Sequence, residues 1–201
     1  METIVQGLVL AGGKSSRMGT DKALLTIEGK PLVYRLAGQL LERLPAVAVS
    51  VGPPERESVY RKAMGELAGR AAFVADGYPD CGPLAGLHAG LAAAPPGYVF
   101  VIACDMPAMS PALFDQLAAH IGSGADVIHC EGQPFHALYH TRVAEAVRGA
   151  LESQDYRVMG LLGRLSTVTV EPRDEAGRTT AFTNLNTPDD YRAFSKQKEE
   201  P

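Results

Sequence analysis

A three-layer α/β/α architecture, with a mostly parallel sheet between two layers of helices, is what the sequence predicts. Short apolar runs of strand length alternate with helical patterns over the first two-thirds of the chain. The run Tyr98-Val99-Phe100-Val101-Ile102-Ala103 is apolar throughout, as a strand covered on both faces must be. Glycine-bearing loops follow the runs, where the turns of a parallel sheet fall and where such sheets bind ligands.

Taken in order, strands are expected over 3–10, 46–51, 71–74, 98–103, 127–130, 137–139 and 167–170. Helices are expected over 31–42, 59–67, 86–93, 111–121, 143–151, 157–162 and 188–198. The first strand carries the β-branched Ile4 and Val5. Ser110-Pro111 and Thr187-Pro188 each place a capping hydroxyl before a proline that suits the first helical position. Asp189 and Asp190 add acids to the first turn of the last helix. Pro95-Pro96-Gly97 stops the helix that precedes it. No repeat or linker divides the chain, so residues 1–201 are expected to form one domain, with 195–201 a frayed tail.

Composition narrows the class. A chain of 201 residues, 46% hydrophobic and 21% charged, can bury a core of its own. The longest apolar runs are strand-sized, so no membrane span is expected. Met1-Glu2-Thr3 leads into the first strand without a cationic stretch before an apolar core, so no secretion signal is expected. Cys81, Cys104 and Cys130 are odd in number and lack metal-type spacing, which suits reduced thiols in a cytoplasm. A formal net charge of −4 argues against a generic nucleic-acid binder.

Chemistry concentrates after the strands. Leu10-Ala11-Gly12-Gly13 opens a loop in which Lys14, Arg17 and Lys22 stand against Asp21. That leaves the loop at about +2, a place to hold a polyanion. Paired glycines let backbone N–H groups approach an anion with no Cβ in the way. The loop is not a P-loop, because Leu8 stands where its first glycine belongs, and adjacent Gly12 and Gly13 break the dinucleotide fingerprint. Ser15 and Ser16 suit phosphate contacts or caps. An ordinary βα turn with solvated lysines is the plain alternative.

Asp105 ends the all-apolar run, which puts a carboxylate at the carboxyl end of a buried strand. One carboxylate plus substrate phosphate oxygens is a common way to hold Mg²⁺. Asp105 could instead bond to a loop amide or cap the Ser110 turn. The loop from Asp76 to Gly86 is stiffened by Pro83 and bared by Gly82 and Gly86, so it can read a flat base, or simply lead into a helix. Asn184 and Asn186 face one side if extended and can hold a phosphate or a metal-bound water, or serve turns and caps. Arg157 can meet a second anion. His136 has no partner at metal-ligand spacing, so a zinc site is not expected.

Together, the segments Leu10 to Lys22, Gly82 to Gly86, Cys104 to Pro107 and Asn184 to Asp190 resemble the molybdenum cofactor guanylyltransferase family, in order and spacing, over essentially the whole chain. The resemblance implies a Rossmann-like fold of the nucleotide-diphospho-sugar transferase type. It implies GTP as donor, molybdopterin (the molybdenum cofactor) as acceptor, Mg²⁺ as metal and pyrophosphate as leaving group. By similarity, Leu10, Ala11, Gly12 and Gly13 contact the nucleotide through backbone and Lys22 meets its phosphates. Asp76, Gly82 and Gly86 lie by the guanosine, and Asp105 binds the metal. Asn184, Asn186 and Arg157 serve the acceptor, whose pterin edge the amides suit. Molybdoenzymes or other cofactor-biosynthesis proteins are the implied protein partners, with no nucleic acid or membrane. Family members can carry Asn where Ser50 stands here, which leaves Ser50 out of the expected site. Two other readings remain open: a cytidylyltransferase on the same scaffold, and a non-catalytic protein that binds nucleotide and delivers cofactor.

Overall fold

Tyr98–Ala103 forms the middle strand of a seven-stranded sheet, and every one of its residues is buried. The structure, a computed structural model, describes residues 5–12, 21–172 and 182–199. Gly13, Lys14, Ser15, Ser16 and Arg17 lie outside the described residues. In chain order the strands are β1 (Val5–Leu10), β2 (Thr26–Ile27), β3 (Lys30–Pro31), β4 (Val47–Ser50), β5 (Ala71–Val74), β6 (Tyr98–Ala103), β7 (Val127–Cys130), β8 (Gln133–His140) and β9 (Thr167–Thr169). The helices are α1 (Leu32–Leu41), α2 (Glu57–Met64), α3 (Pro83–Ala93), α4 (Pro111–Ala118), α5 (Ala144–Glu152), α6 (Val158–Leu162) and α7 (Pro188–Glu199).

The sheet order is β5-β4-β1-β6-β8-β7-β9. β5, β4, β1 and β6 are mutually parallel, which brings four carboxyl ends to one edge of the sheet. β8 runs antiparallel to β6 and β7, and β9 pairs parallel with β7. Alternate residues of each strand feed opposite faces. Val9, Val49, Phe100 and Ile102 pack on one face with α1, α2 and α4. Leu8, Leu10, Val99 and Val101 pack on the other with α3, α5 and α6. A third cluster of Ile27, Leu32, Leu185 and Phe194 docks α7 onto the β2–β3 hairpin and the start of α1. Among the described residues no helix is long and apolar enough to cross a membrane.

Several boundaries differ from expectation for physical reasons. The β2–β3 hairpin is absent from the sequence reading, because two-residue strands carry no periodicity. Its turn, Glu28-Gly29, holds positive φ at both residues, as a tight hairpin requires. β8 starts at Gln133 rather than Ala137 because Pro134 falls beside a register shift between Ile128 and Cys130, where its missing N–H costs nothing. α2 gives way at Gly65, with φ of 51°, to a 3₁₀ stretch over Gly65–Arg70. α3 begins at Pro83, three residues before the expected Gly86, with Gly82 at its N-cap and proline in its first turn.

Candidate active site

The carboxyl ends of β1, β4 and β6 are stitched together by backbone bonds. The N–H groups of Ala11 and Gly12 both donate to the Ser50 carbonyl, at 3.1 and 2.9 Å, and the Cys104 N–H donates to the Leu10 carbonyl at 3.1 Å. Gly12 is required by this seam, since a Cβ there would stand 2.3 Å from the Gly52 nitrogen. Its N–H is therefore committed to Ser50, so the bared-amide role read from the sequence does not hold at this position.

Ser50, left out of the expected site, is a hub of it. The side chain is fully buried, and its hydroxyl donates to Asp76 Oδ1 at 2.9 Å. The Asp76 N–H donates to the Gly52 carbonyl at 2.8 Å, which fixes the carboxylate at the end of β5. Burial pushes the Asp76 carboxyl up, while the Ser50 hydrogen bond and the Arg56 charge pull it back down. Gly86 lets α3 close on this group, because a Cβ there would lie 2.4 Å from Ser50 Oγ. Gly82 stands at the entry to α3 with φ of 66°.

The segment before α7 reaches across to the same edge. The Leu185 N–H donates to the Asp105 carbonyl at 2.7 Å, and the Leu185 side chain is fully buried in the third cluster. That seat brings Asn186 to Lys22, whose Nζ donates to Asn186 Oδ1 at 2.9 Å. The Asn186 and Thr187 N–H groups both donate to Asp190 Oδ2, at 3.0 and 2.8 Å, so the capping role and the site role of this segment coexist. Asn184 is exposed one residue before the seat. Lys22, Asp105 and Asn186 are thus brought together from both ends of the chain. Arg157 stands apart: its side chain is 84% exposed and bonds Asp155 through Nε and Nη2 at 2.8 and 3.3 Å. That pairing with Arg157 first, and Arg164 last, holds the Asp155 carboxyl down at about 2.

Asp105 Oδ1 is buried and has no hydrogen-bond partner among the described residues. A buried carboxylate oxygen left unpaired costs stability unless something else satisfies it. A hard divalent cation does so, and Mg²⁺ needs only one or two carboxylates when water and phosphate oxygens complete its shell. Among the described residues no three His, Cys, Asp or Glu side chains converge on a cation site. The residues present fit Mg²⁺ held jointly with a polyphosphate.

Behind the first loop lies a group the sequence reading did not single out. Asp21 pairs with Arg56, accepts the Ala23 N–H at 3.0 Å, and accepts the Tyr60 hydroxyl at 2.8 Å. Arg56 lies over the Tyr60 ring, 5.2 Å from its centre. Tyr60 lies in α2 and Arg56 just before it.

Comparison with known proteins follows the same lines. Residues 7–168 match the MobA-like NTP transferase domain family. A probable molybdenum cofactor guanylyltransferase of Peptoclostridium acidaminophilum is 32% identical over 96% of this chain and 90% of its own length. One from Natronomonas pharaonis is 35% identical over 92% and 93%. The solved structure of molybdopterin-guanine dinucleotide biosynthesis protein A from Archaeoglobus fulgidus superposes with a TM-score of 0.82, at 24% identity, covering 98% of this chain and all of that one. At that identity the likeness speaks for the fold.

Proposed function

The chain belongs to the MobA-like NTP transferase family, among the molybdenum cofactor guanylyltransferases, and is a nucleotidyltransferase; from that premise we propose that it transfers GMP from GTP to the terminal phosphate of molybdopterin. The acceptor phosphate oxygen bonds the α-phosphorus of GTP, and the bond from that phosphorus to the bridging oxygen of the leaving pyrophosphate breaks. The observation that carries the reading is the buried Asp105 oxygen, which has no hydrogen-bond partner among the described residues, on a residue whose carbonyl takes the Leu185 N–H beside the Lys22–Asn186 pair.

The acceptor phosphate is already anionic near neutral pH, so the step needs no general base. The difficulty is repulsion: two unit charges 4 Å apart oppose each other by about 4 kcal/mol at an effective dielectric near 20. Asp105 is the residue that would hold Mg²⁺, which when bound neutralises polyphosphate charge. Lys22 supplies a cation for the phosphates from a turn fixed by Asp21. Leu10, Ala11 and Gly12 meet the nucleotide through backbone, and Gly13 lies in the same motif. Asp76, Gly82 and Gly86 line the guanosine side, with the Asp76 carboxylate already oriented by Ser50. Asn184 and Asn186 serve the acceptor side, and Arg157 is assigned to the same acceptor. Positioning and charge neutralisation are the main means of catalysis in phosphoryl transfer, and they are what these residues provide.

The protein works as one domain in the cytoplasm, and its product passes to molybdoenzymes or to other proteins of cofactor assembly. Three free cysteines, two of them buried, support that reducing setting. The test is to incubate the purified protein with Mg²⁺ and molybdopterin, with GTP and CTP in parallel, and to look for the dinucleotide by mass. A guanine product and no cytosine product supports the reading. A cytosine product moves the activity to the cytidylyl class. GTP binding without either product marks a delivery protein.

A further inference from the structure

We propose that Tyr60 is a positioning residue for the triphosphate: its buried hydroxyl fastens both ends of the nucleotide loop, Ala11 at the entry and Asp21 at the exit. This rests on the GTP reading above. The Tyr60 oxygen lies 3.1 Å from the Ala11 carbonyl and 2.8 Å from Asp21 Oδ2, and Tyr60 itself is fully buried in α2. One hydroxyl proton serves two acceptors, and the charged one holds it more strongly. Burial, reinforced by the Asp21 charge, pushes the Tyr60 hydroxyl far above its ordinary value, so it remains a donor wherever the protein is folded.

The consequence for Lys22 is geometric. Asp21 Oδ1 takes the Ala23 N–H at 3.0 Å and so caps the single turn Lys22–Leu24, while Oδ2 is held by Tyr60 and Arg56. The backbone of Lys22 is therefore clamped between a residue fixed to the core and the Asn186 contact that its side chain makes. Arg56 offsets the Asp21 charge and also acts electrostatically on Asp76, which links the phosphate end of the crevice to its base end. A turn fixed in advance loses less entropy when the polyphosphate arrives.

The test is calorimetric titration of Mg²⁺·GTP and of guanosine into wild type, Tyr60→Phe and Asp21→Asn. Tyr60→Phe keeps the ring under Arg56 and removes only the hydroxyl. Asp21→Asn keeps an acceptor for the Ala23 N–H and removes the charge. The expected result is a Kd for GTP raised about tenfold in each variant, with guanosine affinity unchanged within about twofold. A merely structural role lowers thermal stability and leaves the ratio of the two affinities where it was. If Tyr60→Phe does not fold, Asp21→Asn alone gives the readout. An unchanged ratio in the folded variants overturns the positioning role while the GTP reading stands. A wild type that binds no GTP overturns both.

Discussion

The ammonium of Lys22 meets the carboxamide of Asn186 at 2.9 Å, across 164 positions of sequence. The contact joins Lys22 to the segment before the last helix. Lys22→Ala is expected to lower kcat about 100-fold while leaving guanosine binding nearly unchanged, since the proposed role of the cation is toward the phosphates rather than the base. Single-turnover kinetics beside guanosine titration separates the two. Equal losses in both would deny Lys22 that place.

Leu185 belongs to the same segment. It is fully buried with Ile27, Leu32 and Phe194, and its N–H is fixed to the Asp105 carbonyl. Leu185→Ala is expected to weaken this cluster by about 3 kcal/mol. Amide exchange in α7 should speed up before exchange in the main sheet does. Uniform exchange through α7 and the sheet would show that the segment has no separate seat.

Gly86 and Ser50 are in contact range of each other. A methyl at Gly86 would stand 2.4 Å from Ser50 Oγ and 3.2 Å from its Cβ. Gly86→Ala should cost about 1–3 kcal/mol and raise KM for the nucleotide by displacing the hydroxyl that orients Asp76. Adding Ser50→Ala removes the closer clash and should return part of the lost stability, but not the KM. A double-mutant cycle in thermal unfolding reads the coupling, and strict additivity would argue against the contact.

His136 supplies a pH prediction. It is fully buried between Phe100 and Phe182, and neither ring nitrogen has a hydrogen-bond partner among the described residues. Burial pushes its pKa from 6.5 down to about 4. The unfolded chain therefore takes up a proton at a pH where the folded one does not. Stability is intact above pH 6.5 and falls as the pH drops towards 4, by about 3 kcal/mol in all. His136→Leu should flatten this slope in denaturant titrations between pH 7 and pH 4. A variant with the wild-type slope would assign acid sensitivity elsewhere.

What the sequence made legible follows from where its signals are local. The alternation of apolar runs with helical patterns placed the sheet, and Asp105 stood out because a charge follows six apolar residues in a row. The Lys22–Asn186 pair could not be seen, because an Asn before Thr-Pro serves a turn or cap equally well, and here the segment does both. Ser50 stands outside the expected site because family members can carry Asn at that position. Its importance lies in a carbonyl shared by two N–H groups and in the closeness of Gly86, which only the packed fold creates. Tyr60 and Arg56 carry no local signal in the sequence for the same reason. Gly12 was legible as necessary but not for its cause, which is the approach of Gly52.

The most direct measurement is pyrophosphate release from GTP in the presence of molybdopterin, followed against Mg²⁺ concentration for wild type and Asp105→Asn. Asp105 offers a buried oxygen that has no hydrogen-bond partner among the described residues. Wild type should therefore show saturable Mg²⁺ dependence, and Asp105→Asn should stay inactive at every Mg²⁺ concentration while remaining folded. Turnover by Asp105→Asn close to wild type at saturating Mg²⁺ would contradict the assignment of the metal carboxylate and of the crevice built around it.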